Sequence, residues 1–353
     1  MTVHKIAVLP GDGIGPEIIA EGIKVLKKVE ELDNNIKFEF DTYPWGGEHY
    51  LKTGILMPED GIQILSAYEA IYFGACGTPG VPDSMVSGDL LIRIRREFDQ
   101  YVNLRPTRLY KGIESPLRKG TPENINMIIV RENTEGEYTD AGAYFYQGTP
   151  YEIAMQNNVM SRRGVERVMR YAYELARKNH MTLTSITKSN AVNWTMCFWD
   201  KIFEEIGKEY PDVETSKCFC DAAAMYMVTN PGRFQVVVAS NLFGDILSDL
   251  AAGISGSLGV GAGGNINPER KFPSMFEPIH GSAPKHAHKN DINPIATILS
   301  GAMMLEFLGH EEWANKIRKA CEDVIAEGKV LTKDLGGTAT TTEIGDEIVS
   351  KLC

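Results

Sequence analysis

The sequence has 353 residues, of which 43% are hydrophobic, and it carries a formal net charge of −11. This length predicts two domains with a large buried core, and the acidic charge argues against nucleic acid or an anionic membrane as a partner. No apolar run approaches the ~20 residues that span a bilayer. The first residues enter a strand pattern without a signal-peptide layout, and the six cysteines are scattered. We therefore expect a cytoplasmic protein with reduced thiols.

The first predicted elements are a strand from Lys5 to Leu9 and a helix at about residues 18–32. The turn between them, Pro10–Glu17, spaces its glycines as G-x-G-x-G. A dinucleotide fingerprint requires G-x-G-x-x-G, and a P-loop requires a lysine that this turn does not contain. The turn therefore predicts only a tight entry into a helix, whose N-terminus could face an anion.

Arginines follow the second predicted strand, Ala70–Ala75. Residues 76–89 are rich in glycine and proline, which predicts an irregular loop of the kind that often selects substrates. Beyond them lie an arginine-rich segment that contains Arg95 and Arg105, and Arg131 at the end of an apolar strand. Guanidinium groups bind carboxylates through paired hydrogen bonds and keep their charge. A surface salt bridge is the alternative for each arginine alone, but the position of Arg131 favours a site.

The middle of the chain alternates between strand and helix patterns. Residues 143–160 are aromatic and alternate in polarity, which suggests a β arm. We predict helices at residues 163–178 and 193–210. A strand at residues 183–187 is predicted to end at Lys188.

Two aspartates mark the next strand-to-helix junction. An apolar run from Phe234 to Ser240 predicts a buried strand that leads directly into a helix. Asp245 and Asp249 are four residues apart, so both carboxylates lie on one face of that helix. Like charges this close repel each other unless a cation lies between them. The pair therefore predicts a Mg²⁺ or Mn²⁺ site, with a solvated acidic helix face as the alternative.

The last hundred residues contain two loops and then helices. Residues 255–264 are dense in glycine, which predicts a loop or hinge. A second loop opens at residues 276–284 and closes at Asn293–Pro294. We predict helices at about residues 295–308, 311–327 and 341–352.

Four motifs occur in one order along the chain: Pro10–Glu17, Asn103–Pro106, Asn241–Asp249 and Glu277–Pro284. In order and spacing they resemble the β-decarboxylating dehydrogenases, which include isopropylmalate, isocitrate, homoisocitrate, D-malate and tartrate dehydrogenases. The resemblance covers essentially the whole chain. It is greatest to the D-malate/tartrate branch, of which residues 95–105, 131–138 and 265–274 are typical.

The resemblance implies roles for individual residues. The family's substrate-binding arginines fall on Arg95, Arg105 and Arg131, and its catalytic pair falls on Tyr138 and Lys188. Its metal ligands fall on Asp221, Asp245 and Asp249. The implied cofactor contacts are Glu277, His280, Gly281, Ser282, Ala283, Lys285, His286 and Asn293.

The resemblance also implies the architecture, an α/β isocitrate/isopropylmalate dehydrogenase-like fold with two α/β domains and no Rossmann fingerprint. The cofactor-side domain would combine residues 1–101 with residues 256–353. Residues 102–255 would form the second domain, which carries the dimer contact, the metal site and the β arm. In the family, the residues matching Lys188 and Asp221 reach into the neighbouring subunit, which implies a homodimer with shared sites.

The implied reaction is the metal-dependent oxidative decarboxylation of a 2-hydroxy acid with a D-malate core. Hydride would pass to NAD or NADP, with Mg²⁺ or Mn²⁺ as the metal. Arginines would hold the carboxylates, Lys188 would take the hydroxyl proton, and Tyr138 would return a proton to the enol. Burial beside other cations is expected to lower the pKa of Lys188 towards this task.

The sequence departs from the family in the cofactor loop. NAD-dependent members usually have an aspartate after His-Gly-Ser-Ala-Pro, which accepts the ribose hydroxyls. Here the position is Lys285, followed by His286, and NADP-dependent isocitrate dehydrogenases are similar in having lysine there. Because a lysine attracts the 2′-phosphate that an aspartate repels, we expect NADP rather than NAD, with an exposed basic loop as the alternative.

The second departure concerns the substrate. Isocitrate enzymes bind a third carboxylate with Ser and Asn, at positions that are Asp89 and Leu91 here, so isocitrate is disfavoured. Leu91 and Ile92 resemble the apolar pair of both isopropylmalate and D-malate enzymes. Gly88 stands where the D-malate/tartrate branch usually has tryptophan.

Three other functions compete with a D-malate or tartrate dehydrogenase. One is 3-isopropylmalate dehydrogenase, with the same chemistry. Another is a non-catalytic regulatory subunit of a hetero-oligomeric dehydrogenase. The intact set of predicted catalytic and metal residues argues against this second alternative. The same set argues against the third, a plain metal- or nucleotide-binding protein.

Overall fold

The computed structural model describes residues 1–352. Its strands, in chain order, are β1 (Thr2–Gly11), β2 (Ile36–Thr42), β3 (Ala70–Ala75), β4 (Val102–Arg108), β5 (Asn126–Glu132), β6 (Gly142–Phe145), β7 (Ile153–Gln156), β8 (Leu183–Thr187), β9 (Thr215–Phe219), β10 (Val236–Ala239), β11 (Ala262–Ile266) and β12 (Ser274–Pro278).

The α-helices lie between and after these strands. They are α1 (Gly15–Leu32), α2 (Gly47–Thr53), α3 (Gly61–Leu65), α4 (Asp83–Val86), α5 (Arg93–Glu97), α6 (Arg162–Lys178), α7 (Thr195–Gly207), α8 (Cys220–Thr229), α9 (Asn241–Ile254), α10 (Ile295–Phe307), α11 (Glu311–Glu327) and α12 (Thr341–Ser350). Across residues 1–352, no helix is both long and apolar enough to cross a bilayer.

Within residues 1–352, ten strands form one sheet in the order β2-β1-β3-β12-β11-β4-β5-β10-β8-β9. The outer strands on both sides pair in parallel. Around β11 and β4 the pairing is antiparallel, for example at Gly264 opposite Leu104 and at Arg105 opposite Ile129. β6 and β7 form a separate two-stranded antiparallel sheet within the segment predicted as a β arm.

Helices cover both faces of the large sheet, and several apolar clusters fill the space between helices and sheet. One cluster packs α1, α10, α11 and α12 against β1 and β3. Another packs α6 and α7 against β5, β8 and β10. The predicted boundary between two domains would fall between β11 and β4 in the sheet, and this division stays a prediction.

The glycine-rich turn after β1 is a structural junction. The Asp12 carboxylate is buried and accepts backbone N–H groups from Gly47, Glu48 and Gly77 at 2.7–2.9 Å. Gly11 has a φ of 71°, and a Cβ atom there would lie 1.9 Å from the Ala75 carbonyl oxygen. The turn therefore brings β1, the end of β3 and α2 together, as expected for a tight entry into a helix.

Part of the glycine-dense stretch at residues 255–264 is not the loop or hinge that was predicted. Its last residues open β11, a fully buried strand between β12 and β4. A Cβ atom on Gly263 would lie 3.3 Å from Ile279, and one on Gly264 would lie 3.2 Å from Phe276. Glycine is used here for close packing of a strand, so its density misled the prediction.

The predicted irregular loop at residues 76–89 is also partly helical. It contains α4 and then a π-helical segment, Ser87–Ile92, which continues into α5. Leu90 is fully buried in this segment and packs in an apolar cluster with Ile94. Burial of these apolar side chains overrides the loop-forming composition.

Candidate active site

The predicted substrate arginines line one cavity of about 370 Å³ at the carboxyl ends of β3 and β5 and beside β4 and β12. We call it the front cavity. Its lining also includes Tyr138, Asp245 and residues that follow β12. Open α/β sheets bind ligands at the carboxyl ends of their strands, so the position is that of a binding site. Its lining contains Leu91, Ile92, Arg95, Arg105, Arg131, Tyr138, Asp245, Glu277, His280 and Gly281.

Arg95 reaches the front cavity from α5. It is buried, and its Nη2 donates to Glu277 Oε1 at 2.8 Å. The same Glu277 oxygen accepts from Asn265 Nδ2 at 2.7 Å. From the sequence, Glu277 was predicted to contact the cofactor. Its ion pair with a predicted substrate-binding arginine was not foreseen. This pairing links the arginine segment to the start of the cofactor loop.

Arg105 is held from three sides. It points from β4 into the front cavity, and its Nε donates to Asn103 Oδ1 at 2.8 Å. Its Nη1 donates to Ser248 Oγ at 2.7 Å and lies 3.3 Å from Asp249 Oδ1 and 3.5 Å from Asp245 Oδ1. Arg105 therefore lies between the two predicted metal-binding carboxylates.

Arg131 ends β5 and is almost fully buried. Its Nε donates to Asn241 Oδ1 at 2.9 Å, and its Nη1 makes a short ion pair with Asp245. Burial, reinforced by the neighbouring Arg105, lowers the pKa of Arg131. A guanidinium group stays protonated under such conditions, so Arg131 is a fixed positive charge in the cavity wall.

Tyr138 and Asp245 form a hydrogen-bonded pair. The Tyr138 hydroxyl donates to Asp245 Oδ2 at 3.0 Å, and the ring lies 5.4 Å from the Arg131 guanidinium carbon. Burial and the Asp245 charge raise the pKa of Tyr138. Burial also acts to raise the pKa of Asp245, but Arg131 and Arg105 outweigh it and lower that pKa. The pair is thus a neutral phenol beside a carboxylate.

A glycine permits the close approach of α9 to Arg131. A Cβ atom on Gly244 would lie 2.6–2.7 Å from Arg131 Cγ and Cβ and 3.2 Å from its Cα. Any larger residue would push the arginine or the helix away. Gly244, Asn103, Asn241, Ser248 and Asn265 were not singled out from the sequence. Their only signal was their place in the quoted sequence: four of them lie inside the four motifs, and Asn265 begins the segment 265–274.

Lys188 and Asp221 lie together but outside the front cavity. Lys188 Nζ donates to Asp221 Oδ1 at 2.7 Å, and neither residue is part of the cavity lining. Hydrogen bonding to Asp221 raises the pKa of Lys188, and the same bond lowers that of Asp221. In a single chain the neighbour of Lys188 is a carboxylate and not a cation, so the lowered pKa that was predicted for a site shared with a second subunit stays a prediction.

The carboxylates partly fit a divalent metal. Asp245 and Asp249 supply oxygen ligands on adjacent turns of α9, as Mg²⁺ and Mn²⁺ prefer. Burial raises the pKa of Asp249 more than Arg105 lowers it. In the part of the chain that the structure describes, no three His, Cys, Asp or Glu side chains converge on a metal position. The pair therefore needs ligands from elsewhere, and Asp221 of the same chain does not supply one.

Of the predicted cofactor residues, Glu277 lies in β12 and the others lie in the loop that follows that strand, with Ser282 and Asn293 buried and Lys285 and His286 exposed. His280 and Gly281 line the front cavity, and burial lowers the pKa of His280. The Ser282 carbonyl accepts the Ile14 N–H at 2.9 Å, which attaches this loop to the glycine-rich turn. Ala283 has a left-handed φ of 37° and leads into a short 3-10 turn, Pro284–His286.

The rest of the loop is tied to its surroundings, with one exception. His286 Nδ1 lies 3.1 Å from Asp291 Oδ1, and Asn293 Nδ2 donates to Asp334 Oδ2 at 3.0 Å. Asp334 was not predicted from the sequence. Lys285 is exposed, and no ion pair to it is found among residues 1–352. Its charge is therefore available to a ligand.

An α/β fold with arginines, a phenol and carboxylates around one cavity defines an enzyme that acts on small acids. The sequence matches the isocitrate/isopropylmalate dehydrogenase family over residues 5–348. The chain therefore belongs to this family. Its members generally depend on NAD(P) and a divalent metal.

Relatives with assigned names are similar over their full lengths. "Probable tartrate dehydrogenase/decarboxylase" of Bacillus subtilis (strain 168) is 45% identical over 353 residues, which is 100% of this chain and 99% of that protein. "D-malate dehydrogenase [decarboxylating]" of Escherichia coli (strain K12) is 47% identical and covers 99% of this chain and 98% of its own. "3-isopropylmalate dehydrogenase" of Thermobifida fusca (strain YX) is 45% identical, with 99% and 97% covered.

A solved structure supports the fold. The crystal structure of isocitrate dehydrogenase from Methylococcus capsulatus superposes with a TM-score of 0.89 at 36% identity and covers 99% of each chain. The predicted fold class and the predicted class of enzyme, a decarboxylating hydroxy-acid dehydrogenase, are thereby confirmed.

The contact between Gly244 and Arg131 makes a testable prediction. Gly244→Ala places a methyl group against the Arg131 side chain, so we expect kcat/KM to fall by about tenfold to a hundredfold through misplacement of that arginine. The matched control is Gly253→Ala in the same helix, where a Cβ atom meets nothing within 4 Å. The control should keep full activity and gain up to ~1 kcal/mol in stability. Equal activity of both variants would contradict the packing role of Gly244.

Proposed function

We propose that this protein oxidatively decarboxylates D-malate or tartrate with hydride transfer to NAD(P), in the cytoplasm. The observation that carries the proposal is the convergence of Arg95, Arg105 and Arg131 with Tyr138 and Asp245 on one cavity. Two relatives at 45–47% identity bear the names of tartrate and D-malate enzymes, which supports this choice of substrate.

The charges around the front cavity support a dicarboxylate. Three guanidinium groups face three carboxylates, those of Asp245, Asp249 and Glu277. The group is therefore close to neutral by itself. A bound divalent cation would add two positive charges, and Asp221 and protonated Lys188 of a second subunit would add none in sum, so the excess matches the two negative charges of malate or tartrate.

The apolar wall of the cavity bears on the choice of hydroxy acid. Leu91 and Ile92 line the front cavity, whereas Asp89 is absent from its lining. An aliphatic wall offers no partner to a third carboxylate, which speaks against isocitrate. The same wall would accept the alkyl group of isopropylmalate. The alternative function is therefore that of a 3-isopropylmalate dehydrogenase, and the similarity to the Thermobifida fusca enzyme of that name supports this alternative.

Asp245 and Asp249, with Asp221 of a second subunit, would hold Mg²⁺ or Mn²⁺. Bound there, the metal would supply positive charge beside the substrate hydroxyl and its carboxylate. The arginines would bind and orient the carboxylates of the substrate. Tyr138 keeps its proton, since its pKa is raised, and can give it to the carbon that has lost CO₂.

The first proton transfer would use Lys188 of a second subunit. As the hydride leaves the hydroxyl-bearing carbon for the nicotinamide ring, the hydroxyl proton must pass to a base. Lys188 carries its proton while bonded to Asp221, so it must leave that carboxylate or lose the proton before it can act. Proximity to the cavity arginines of another chain would favour the neutral amine.

A homodimer would complete the site. Lys188 and Asp221 lie outside the cavity of their own chain. The two packed helices α8 and α9 expose apolar side chains, including Met225 at 51% and Ile246 at 58%. The β arm exposes Tyr144 at 65% and Tyr151 at 77%. Exposed apolar surface of this kind marks an interface, here with a second copy of the chain.

Activity assays test the function directly. The formation of reduced nicotinamide should be followed by absorbance with Mn²⁺ present, for D-malate, L-tartrate, meso-tartrate, isopropylmalate and isocitrate, each with NAD and NADP. We expect turnover of D-malate or tartrate. Turnover of isopropylmalate alone would move the protein to that branch. No turnover with any pair would favour the regulatory subunit.

The shared site predicts complementation between inactive variants. In a co-expressed mixture of Tyr138→Phe and Lys188→Ala chains, each hybrid dimer would contain one intact site if Lys188 acts across the interface. With half of the dimers hybrid, about a quarter of the wild-type activity should return. The homodimer of each variant, purified separately, is the control. No recovery in the mixture would place Lys188 in the site of its own chain.

The exposed Lys285 predicts a preference for NADP. Lys285→Asp replaces an attraction to the 2′-phosphate by a repulsion, so the ratio of kcat/KM for NADP to that for NAD should fall by about tenfold or more. Lys37→Asp, at an exposed position on the edge strand β2, is the matched control and should leave the ratio unchanged. An unchanged ratio in Lys285→Asp would refute the role of this lysine.

A further inference from the structure

A second and larger cavity, of about 810 Å³, lies on the opposite face of the central strands. Alternate residues of a strand point to opposite faces of its sheet. In β4, Arg105 points to the front cavity, whereas Leu104 and Pro106 on either side of it line the second cavity. We call this second cavity the rear cleft. The two cavities are thus separated by the thickness of one sheet.

Two helices form the walls of the rear cleft. From α6, Tyr171, Leu175 and Lys178 line it, at the spacing of one helix face. From α10, Leu299, Met303 and Phe307 line it at the same spacing. Between the helices, residues of β4, β5, β11 and β12 form the floor. The floor and walls supply a largely apolar surface: Leu104, Tyr110, Ile128, Tyr171, Leu175, Val260, Ala262, Ile266, Phe276, Leu299, Met303 and Phe307.

The charged residues of the rear cleft are predominantly basic, on a protein whose net charge is −11. Its lining contains four cationic side chains but only two acidic ones, Glu174 and Glu306. Arg108 pairs with Glu322, and Arg318 pairs with Glu306. The other two cations, Lys178 and Arg270, form no ion pair among residues 1–352.

Two further side chains of the rear cleft, Arg270 and Tyr171, are placed to contact a ligand. The Arg270 guanidinium carbon lies 4.7 Å from the centre of the Phe307 ring, so this cation is held over an aromatic face. The Tyr171 hydroxyl has no hydrogen-bond partner in the described part of the chain. The rear cleft therefore combines an apolar body, a polar hydroxyl and cations that lack a counter-charge.

We propose that the rear cleft binds an amphipathic organic monoanion, with an apolar body between α6 and α10 and an acidic group near Lys178 and Arg270. The volume lies in the range of small-molecule sites, ≈ 300–1,000 Å³. An apolar ligand without charge would gain nothing from the two cations at the rim of the cleft. An inorganic anion would leave the apolar walls hydrated.

This site is distinct from that of substrate and cofactor. None of Arg95, Tyr138, Lys188 or Lys285 lines the rear cleft. The walls come from segments on the two sides of the β11–β4 junction, so a ligand would bridge the two halves of the sheet. The proposal does not depend on which hydroxy acid is oxidised.

The experiment is a fluorescence titration of the full-length protein with 1-anilinonaphthalene-8-sulfonate, an aromatic monoanion. It is carried out with saturating NAD or NADP present, so that the cofactor loop is occupied, and the charge variants of the rear cleft distinguish binding there from binding to the arginines of the front cavity. We expect saturable binding that both nucleotides leave intact. Complete displacement of the probe by either nucleotide would overturn the proposal.

Charge variants locate the probe. Lys178→Glu and Arg270→Gln should each weaken binding by about threefold to tenfold, since both cations are exposed, and the double variant should weaken it further. Lys178→Arg keeps the charge and should bind like the wild type, as should Lys37→Glu, which changes a lysine outside both cavities. Circular dichroism confirms folding of each variant. Wild-type affinity in the double variant would overturn the proposal.

Competition experiments distinguish aliphatic from aromatic acids as ligands of the rear cleft. Octanoate displaces the probe if the site takes aliphatic acids, and 1-naphthoate displaces it if the site takes aromatic ones. Either result supports the proposal. Octanol and inorganic phosphate are the controls and should displace it at least about tenfold less effectively, since each lacks half of the required chemistry. Equal displacement by octanol or by phosphate alone would contradict an amphipathic site.

Discussion

The ion pair between Arg131 and Asp245 is the interaction on which the active site depends. Three guanidinium groups buried at one edge of a sheet would repel each other, and burial alone disfavours their charge. Carboxylates from α9 and β12 offset this repulsion, and asparagine and serine side chains accept hydrogen bonds from Arg105 and Arg131, whereas the buried Nε of Arg95 has no partner within residues 1–352. The binding site for an acid is therefore already balanced by acids of the protein. If the substrate is the proposed dianion, a divalent metal would add the positive charge that attracts it, and would then act in binding as well as in chemistry.

Much of the fold could be predicted from local patterns in the sequence. The strand that leads into α9 and the carboxylates one turn apart were visible because both are short-range features of the chain. The pairing of Arg95 with Glu277 was not, since 182 residues separate them. The buried β11 and the π-helical segment Ser87–Ile92 were missed because tertiary packing overrode the composition that suggested loops. Gly244 was missed because its need for space arises only when α9 meets β5.

In a single chain, the predicted site residues form two separate groups. The arginines, Tyr138 and Asp245 meet within one chain, whereas Lys188 and Asp221 meet only each other. That ion pair keeps a lysine protonated and a carboxylate occupied while both are away from a substrate. If a second chain brings them to the front cavity, the metal would compete with Lys188 for the Asp221 carboxylate, and the arginine cluster would disfavour the charge on Lys188. A single chain would then hold its base and its third metal ligand in an inactive state.

The order of strands in the sheet constrains when the protein can fold during its synthesis. β12 and β11 lie between β3 and β4 in space, but they follow β4 in the chain by more than 150 residues. β4 has no partner along one of its edges until β11 (Ala262–Ile266) is made, and β3 has none along one of its edges until β12 (Ser274–Pro278) is made. The strands from β4 to β10 are complete earlier and can pair among themselves. The nascent chain therefore exposes two open sheet edges for much of translation, a stage at which binding by chaperones would protect it from aggregation.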